Sequence, residues 1–555
     1  MTVETPSPTA APPVDFRTSP DRYRHWRLAV DGDVARLTMA VDPKQGIRPG
    51  YELKLNSYDL GVDVELADAV QRLRFEHPGV RCLVIDGALD KVFCAGANIQ
   101  MLRQSEHGWK VNFCKYTNET RVYLEDLAEA SGVRTLAALN GATAGGGYEL
   151  ALACERILLI DDSQSAVSLP EVPLLAVLPG TGGLTRVVDK RKVRRDLADV
   201  FCTLAEGVRG KKALQWRLVD HLAPSSRFAE ERDRLARELA DSVPDRSDRV
   251  GVPLGDLAFE DGAGRRTYRY VTLSWDEDAR TAELEVRLPD EAGPKLPEEA
   301  HAAGRDWWFL DLFRAVDDAL LHLRINLPCV NLVTVRVVGD PRVALEHDRF
   351  LTEYRGDWFV HEVVHFAKRV LKRMDLSAKS FFALADAGTA FAGTFLEFGL
   401  AADRLYVLDD PDEEVFLGVG LLNGGDYPMS HGLTRLEARF YGEPERVARL
   451  LESPGLVPAS AADELGLATE ALDLIDWEDQ IRVYVEERAS MSPDALTGME
   501  ANLRFPGPET MESRIFGRLT AWQNWIFQRP NAVGAEGALQ CYGTPRRPAF
   551  DYRRT

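Results

Sequence analysis

The sequence repeats itself at a fixed offset, and this repeat limits the possible folds more than any other feature. The segment Glu149–Asp162 is followed 248 residues later by the similar segment Glu397–Asp410. Gly183-Leu-Thr-Arg186 recurs as Gly432-Leu-Thr-Arg435 at an offset of 249. A register kept over several elements is typical of a duplicated domain. The sequence therefore predicts two homologous halves within its 555 residues.

Each predicted half begins with two strands and continues as a mixture of strands and helices. Apolar and polar residues alternate from Trp26 to Met39 around the turn Asp31-Gly-Asp33, and 268–288 repeats this hairpin pattern. The rest of the first half alternates between helical spacing and short buried-strand runs, which is typical of an α/β domain. The predicted elements are helices over 65–74 and 148–154 and strands over 82–85, 135–139 and 156–160.

The domain boundaries follow from the repeat and from local composition. Residues 1–23 are proline-rich and contain no long apolar run, which predicts a disordered leader. We predict a first domain over 24–223 and a polar linker over 224–266. The second domain is predicted over 267–545 and includes C-terminal helices.

The charge balance and the cysteine pattern exclude several classes of protein. The chain has 87 acidic and 67 basic residues, a net charge of −20, so a general nucleic-acid-binding surface is not expected. No uncharged apolar stretch approaches the roughly 20 residues that span a bilayer. The seven cysteines lack the spacing of a disulfide framework or a zinc ribbon. We therefore expect a cytoplasmic protein with neither a membrane nor a nucleic-acid partner.

Two loops rich in small residues are the first candidates for a ligand site. They are Phe93-Cys-Ala-Gly-Ala-Asn-Ile99 and Asn140-Gly-Ala-Thr-Ala-Gly-Gly-Gly147. Small residues let backbone N–H groups approach a ligand, and two such loops facing each other would form an oxyanion hole for a thioester oxygen. Tight packing of one segment on another explains each single loop as well. The sequence contains no dinucleotide-binding or Walker motif.

Two glutamates lie close to these loops in sequence. Glu149 falls on the first turn of the helix after Gly147, and Glu171 follows Pro170 among apolar residues. A carboxyl group in apolar surroundings tends to have a raised pKa, which suits acid–base catalysis near neutral pH. Taken singly, Glu149 is also explained as a favourable charge at a helix N-terminus, and Glu171 as a solvated loop residue.

Together these motifs resemble those of the crotonase (enoyl-CoA hydratase/isomerase) superfamily over roughly residues 24–222. Leu169-Pro-Glu171, Pro179-Gly-Thr-Gly-Gly183 and the segment 210–219 also occur in that family's order and spacing. The resemblance implies an α/β fold made of tandem crotonase-like spirals of ββα units, with a degenerate second copy. It also implies acyl-CoA substrates, so that coenzyme A enters with the substrate and no other cofactor is expected. Crotonases form oligomers, and for this fused chain we expect a homodimer.

The resemblance assigns individual residues to roles. The backbone amides of Ala97 and Gly146 would hold the thioester oxygen, while Glu149 and Glu171 stand where hydratases of the family carry two catalytic glutamates. Asn98 stands where an aspartate is usual. The residues implied to bind CoA or substrate are Lys54, Leu55, Asn56, Ala95, Asn98, Ile99 and Gly145.

The second half has lost most of these groups. The offset of 248 carries Gly146 to Thr394 and Glu171 to Val419. Only Glu397 remains as an acid, and one acid cannot perform the work of two. We therefore expect the second half to be a structural partner of a catalytic first half.

One motif of the second half points to different chemistry. His361-Glu-Val-Val-His365 matches HExxH, which on a helix places two imidazoles on one face for zinc. The repeat assigns this segment to a helix of the degenerate half, and no GxxH follows it. We therefore expect no metal in the site.

The length and tandem arrangement of the chain narrow the expected reaction. They resemble members of the family that hydrolytically open the ring of an aromatic-derived acyl-CoA epoxide. Hydration or isomerisation of another acyl-CoA and non-catalytic acyl-CoA binding remain as alternatives. Activity on a straight-chain enoyl-CoA would indicate simple hydration, and loss of either glutamate would have favoured binding alone.

Overall fold

The structure of the chain is a computed structural model that describes residues 12–410, 412 and 414–555. The chain divides into two units, one up to Asp256 and one from Leu257 onward. Within the described ranges, no helix is both long enough and apolar enough to cross a bilayer.

The first unit contains a six-stranded and a four-stranded sheet. Its strands are β1 (Trp26–Asp31), β2 (Val34–Met39), β3 (Cys82–Gly87), β4 (Lys91–Cys94), β5 (Arg134–Leu139), β6 (Gly141–Ala144), β7 (Arg156–Asp161), β8 (Ala166–Ser168), β9 (Val208–Arg209) and β10 (His221–Pro224). The larger sheet has the order β1-β2-β3-β5-β7-β10, in which the β1–β2 hairpin is antiparallel and the other neighbours are parallel. The smaller sheet has the order β4-β6-β8-β9.

The helices of the first unit follow the strands and cover the sheets. The Asp59 side chain starts the first helix by accepting hydrogen bonds from the Gly61 and Val62 amides, which is a typical N-cap. The helices are α1 (Leu60–Phe75), α2 (Ile99–Gln104), α3 (His107–Glu129), α4 (Gly146–Ala153), α5 (Glu171–Leu175), α6 (Gly183–Thr185), α7 (Arg195–Thr203), α8 (Gly210–Gln215) and α9 (Phe228–Asp241).

The second unit contains an eight-stranded sheet and a two-stranded one. Its strands are β11 (Glu260–Gly262), β12 (Arg265–Thr267), β13 (Val271–Asp276), β14 (Thr281–Arg287), β15 (Leu332–Val338), β16 (Ser380–Ala385), β17 (Arg404–Asp409), β18 (Phe416–Val419), β19 (Gly455–Pro458) and β20 (Glu470–Asp473). Its helices are α10 (Pro297–Ala303), α11 (Trp308–Ile325), α12 (Pro341–Glu353), α13 (Trp358–Leu376), α14 (Leu396–Ala401), α15 (Arg435–Arg439), α16 (Pro444–Glu452), α17 (Ala459–Glu464), α18 (Trp477–Ser490), α19 (Pro493–Leu503), α20 (Met511–Arg514), α21 (Thr520–Ile526), α22 (Pro530–Val533) and α23 (Ala538–Cys541).

The larger sheets of the two units share one topology. The order β13-β14-β15-β16-β17-β20 begins with an antiparallel hairpin and continues in parallel, as in the first unit. The residues that matched in the sequence occupy corresponding elements, since Glu149 and Glu397 lie on α4 and α14. The predicted duplicated α/β fold is therefore confirmed.

The predicted disordered leader differs from the structure where the two overlap. Residues 1–11 of the leader lie outside the described residues. Val14 is buried, Phe16 packs with its ring centroid 5.7 Å from that of Tyr116, and the Tyr23 hydroxyl donates to Asp68 at 2.6 Å. Residues 12–23 are therefore packed on the first unit through apolar and hydrogen-bonded contacts, which a proline-rich composition does not indicate.

The predicted linker over 224–266 is also different in the structure. Most of it belongs to the first unit, because α9 packs Phe228, Leu235 and Ala236 into a core that includes Leu136. The linker prediction is wrong for these residues. Because α9 has many charged residues and a single apolar face, its composition resembles that of a polar linker. Its last residues form β11 and β12, which extend the sheet of the second unit.

Candidate active site

Gly145 turns the chain from β6 into α4 and places the residues that follow it. Its φ of +53° lies in the left-handed region, which glycine adopts without strain. A Cβ atom added to Gly145 would lie 2.7 Å from Oε1 of Glu171. The turn therefore starts α4 at Gly146, puts Glu149 on its first turn and leaves room for Glu171 alongside.

The two loops of small residues meet beside this turn. A Cβ atom added to Gly96 would lie 2.8 Å from the Ala144 carbonyl oxygen and 2.9 Å from the Gly146 nitrogen, so no side chain fits there. Neither the Ala97 amide nor the Gly146 amide donates a hydrogen bond within the part of the chain that the structure describes. Two neighbouring amides with unused N–H groups can donate to one ligand oxygen, as an oxyanion hole requires.

Glu149 is buried and is held by three donors from one turn. The Thr181 and Gly183 amides donate to Oε1 at 3.0 and 2.7 Å, and the Thr181 hydroxyl donates to Oε2. Burial raises the pKa of Glu149, whereas these hydrogen bonds and the charge of Arg121 favour the carboxylate. The three bonds fix the orientation of the carboxylate toward the site.

Glu171 is the first residue of α5 and is half-buried. Its Oε2 atom is enclosed and has no hydrogen-bond partner among the described residues. Burial, and then the charge of Glu149, raise the pKa of Glu171 to about 7. A carboxyl group with such a pKa can exchange a proton near neutral pH.

A buried polar cluster lies behind the Gly146 turn. The Tyr58 hydroxyl stands where a Cβ atom at Gly146 would be, so position 146 accepts only glycine without rearrangement. The Arg121 guanidinium lies 5.3 Å from the Tyr58 ring centroid and pairs with Asp63 at 2.6 Å. Tyr58, Arg121 and Asp63 are all buried. The cluster therefore packs against the Gly146 turn and places the Arg121 cation near Glu149.

Four of the residues predicted to bind CoA or substrate lie on exposed, neighbouring segments. Lys54, Leu55, Ala95 and Ile99 are all exposed. The Ala95 amide donates to the Leu55 carbonyl oxygen at 3.1 Å, which holds the two segments side by side. Leu55 has a φ of +56° within the short turn 54–56. These residues are placed to line one edge of the site.

Asn56 and Asn98, which were predicted to contact CoA or substrate, form hydrogen bonds within the protein. Asn56 donates to the carbonyl oxygens of Met39 and Phe93 at 3.1 and 3.0 Å. Asn98 caps α2 by accepting a hydrogen bond from the Met101 amide at 2.8 Å. Both side chains are buried and hold the loop in place. Their side-chain polar atoms are thus engaged within the protein, and their contact with CoA or substrate stays a prediction.

The sequence did not assign a role to Thr181 or Gly183. Both belong to the motif Pro179–Gly183, which in the sequence indicated only the resemblance to the family. Closely spaced glycines allow a turn in which two amides point at one carboxylate, and this was the available signal.

The HExxH motif lies on α13 of the second unit. Its two imidazoles are adjacent, with ring centroids of His361 and His365 4.2 Å apart. Among the residues that the structure describes, no group of three or more His, Cys, Asp or Glu side chains is arranged to hold a metal ion.

Comparisons with known proteins agree with the motifs. Residues 52–250 match the enoyl-CoA hydratase/isomerase family. The chain is 52% identical over 542 residues to a benzoyl-CoA-dihydrodiol lyase of Aromatoleum evansii, covering 98% of both chains. Among solved structures, an enoyl-CoA hydratase of Geobacillus kaustophilus is 30% identical, with 40% of this chain and 75% of that chain covered and a TM-score of 0.35. An enoyl-CoA hydratase of Bacillus anthracis is 23% identical over 39% of this chain and 76% of that chain, with a TM-score of 0.33.

The similarity to the Aromatoleum protein extends over both units, and the family match falls on the unit that holds the two glutamates. The family predicted from the motifs is thus confirmed. The chain belongs to the enoyl-CoA hydratase/isomerase (crotonase) superfamily and, within it, to the family of the benzoyl-CoA-dihydrodiol lyase.

Proposed function

We propose that this chain catalyses the hydrolytic ring opening of 2,3-epoxybenzoyl-CoA to 3,4-didehydroadipyl-CoA semialdehyde and formate. A relative that matches 98% of the chain is a benzoyl-CoA-dihydrodiol lyase, which supports a benzoyl-CoA derivative as substrate. The observation that carries the proposal is the pair Glu149 and Glu171 beside the unused amides of Ala97 and Gly146.

In this proposal Glu171 is the acid and Glu149 is the base of the first step. Because the pKa of Glu171 is about 7, the group keeps its proton over much of the neutral range and can give it to the epoxide oxygen. The donors at Thr181 and Gly183 favour the carboxylate form of Glu149, which can take a proton from the attacking water. In the ring opening the acid thus protonates the epoxide oxygen, while the base takes a proton from the attacking water.

Release of one ring carbon as formate requires two C–C bonds to break. The bond between the two epoxide carbons breaks as the first water opens the ring to a dialdehyde. The second water then adds to the formyl group beside the thioester, and the bond between the formyl carbon and the thioester-bearing carbon breaks. The electron pair of that bond moves into conjugation with the thioester, whose oxygen becomes an enolate oxygen. The Ala97 and Gly146 amides donate to this oxygen where its charge develops. One epoxide and two water molecules contain all the atoms of the semialdehyde thioester and formic acid. The conversion is redox-neutral overall, so it needs no nicotinamide or flavin.

The surface next to Glu171 is suited to an apolar acyl group. Apolar side chains there are 38–66% exposed, although such residues usually lie inside a protein. An aromatic-derived ring could cover part of this surface, as apolar pocket walls do in ligand sites. The residues are Val172, Leu174, Leu175, Val177 and Leu178.

The experiment that tests the proposal measures formate. Purified full-length protein is incubated anaerobically with 2,3-epoxybenzoyl-CoA and no added cofactor, and formate is compared with the CoA ester consumed. We expect one formate per CoA ester, with a six-carbon semialdehyde thioester as the second product. A product in which water has added but every carbon is retained would contradict the proposal and indicate an ordinary hydratase. The Glu149→Gln variant is the control for non-enzymatic opening.

A further inference from the structure

A cavity of about 210 Å³ lies in the second unit. It is lined by the end of α14, by α15, by the end of α18 and by α19. Part of its wall is apolar, from Leu400, Ala401, Met429, Met499 and Leu503. Four arginines also reach it: Arg435, Arg439, Arg488 and Arg504.

Three of these arginines are paired with carboxylates. Arg435 is buried between Asp375 and Glu397, at 2.6 and 2.8 Å. Arg504 pairs with Asp403 at 2.7 Å, and Arg488 approaches Glu500 at 3.3 Å. Glu500 also pairs with Arg554 behind the cavity wall. The network therefore balances four guanidinium groups with four carboxylates.

Arg439 is the additional cation. Its Nε donates to the Gly466 carbonyl oxygen at 2.6 Å, and no carboxylate lies within ion-pair distance of it among the described residues. The half-buried side chain leaves its terminal nitrogens for the cavity. Burial, and then the charge of Arg446, lower the pKa of Arg439 to about 10, since the protein offers the cation no compensating anion.

A second arginine with an unused donor lines the same cavity. Arg488 is buried, yet its Nε atom has no hydrogen-bond partner within the described residues. Buried N–H groups are normally satisfied, and a guanidinium matches the planar geometry of a carboxylate or phosphate. Two arginines with unused N–H groups and an apolar wall thus occur in one cavity.

We propose that this cavity binds a small organic anion, with its oxyanion on Arg439 and Arg488 and its apolar body against the wall formed by Leu400, Met429 and Met499. The ligand supplies the negative charge that Arg439 lacks. This site is independent of the proposed ring-opening reaction, because none of its residues belongs to the first unit.

The test uses isothermal titration calorimetry on full-length protein with three probes. Benzoate carries the oxyanion on an apolar body, benzamide has the same shape without the charge, and inorganic phosphate has the charge without the apolar body. We expect saturable binding of benzoate, and binding of benzamide and phosphate that is weaker by roughly tenfold or more, because charge-assisted hydrogen bonds and apolar contact both contribute.

Two matched variants assign the binding to this cavity. Arg439→Met removes the unpaired charge, and we expect it to weaken benzoate binding by roughly tenfold or more. Arg446→Met removes a neighbouring arginine that does not line the cavity, and benzoate binding should stay within about twofold. Thermal melting and circular dichroism check that both variants are folded. Absence of saturable benzoate binding, or equal binding by folded Arg439→Met protein, would overturn the proposal; so would phosphate binding more tightly than benzoate.

Discussion

Both units contain the same glutamate–arginine pair, but the two side chains bind each other only in the second unit. The pair is Glu149 and Arg186 in the first unit and Glu397 and Arg435 in the second. In the first unit Arg186 is taken up by Glu125 with two hydrogen bonds of 2.8 Å, and Glu149 is left with neutral donors. In the second unit Arg435 binds Glu397 directly at 2.8 Å. Burial raises the pKa of Glu397, and the Arg435 cation opposes this shift by stabilising the carboxylate. The ion pair thus engages the Glu397 carboxylate within the protein.

The two units also differ at the position of the predicted oxyanion hole, where the backbone amide is unused in the first unit and hydrogen-bonded in the second. The Gly146 amide has no acceptor in the described chain, whereas the corresponding Thr394 amide donates to Asp348 at 2.9 Å. Asp348 lies on α12, which stands in the second unit where the first has β4 and the Ala97 loop. The second unit therefore fills the place of a ligand oxygen with its own carboxylate. One scaffold can keep a ligand site open or close it with a few internal partners.

The largest effect is expected from removing the titrating groups of the open site. Glu149→Gln and Glu171→Gln each keep the shape of the side chain but remove proton transfer, so turnover should fall by roughly 10²–10⁴-fold. Steady-state kinetics with 2,3-epoxybenzoyl-CoA measure this. The matched control is Glu397→Gln, whose folded protein should turn over at the normal rate. Near-normal turnover of either first-unit variant would remove that glutamate from the mechanism.

A second comparison concerns the two amide positions. Gly146→Ala forces the Tyr58 hydroxyl and the turn apart, so the amide leaves its position and turnover should fall by roughly 10²–10³-fold. Thr394→Val removes the hydroxyl bonds to Asp348 and Tyr427 but should leave turnover of the folded protein unchanged. An equal loss from both changes would show that the second unit takes part in the chemistry.

The third expected effect is on stability, and here the larger loss is expected from the variant in the second unit. Arg435→Met leaves the buried carboxylates of Asp375 and Glu397 without their cation, so the free energy of unfolding of the second unit should fall by about 3–5 kcal/mol. Glu149→Gln breaks no ion pair and should cost far less. Chemical denaturation of both variants measures the difference. If Arg435→Met unfolded no more easily than Glu149→Gln, the closed network would not be a stabilising replacement for the site.

The smallest predicted effect is the pH dependence of stability at Glu171. Its pKa of about 7 lies above the ordinary value of 4.5, so the folded state holds the proton more tightly than the unfolded state. Stability linked to this group is present below the unfolded pKa and is lost as pH rises through about 7. Glu171→Gln should therefore raise the Tm more at about pH 8.5 than at about pH 4.5. An equal shift of the Tm at both pH values would contradict the raised pKa.

The sequence predicted the parts of this account that depend on local patterns. The repeat fixed the duplicated topology, and the small-residue loops with Glu149 and Glu171 indicated the site. Groups that meet only in three dimensions were missed, such as the Arg121–Asp63 pair and the Asp348 carboxylate that closes the second site. The linker over 224–266 was mispredicted because the polar face of α9 outweighs its apolar face in composition.

We expect this duplicated chain to have one open acyl-CoA site, in its first unit. The most direct test is the stoichiometry of binding of benzoyl-CoA, an unreactive analogue, to full-length protein by isothermal titration calorimetry. We expect one benzoyl-CoA per chain, with binding lost in Gly146→Ala protein and retained in Thr394→Val protein. Two equivalent sites per chain, or binding that depends on Thr394 and not on Gly146, would contradict it.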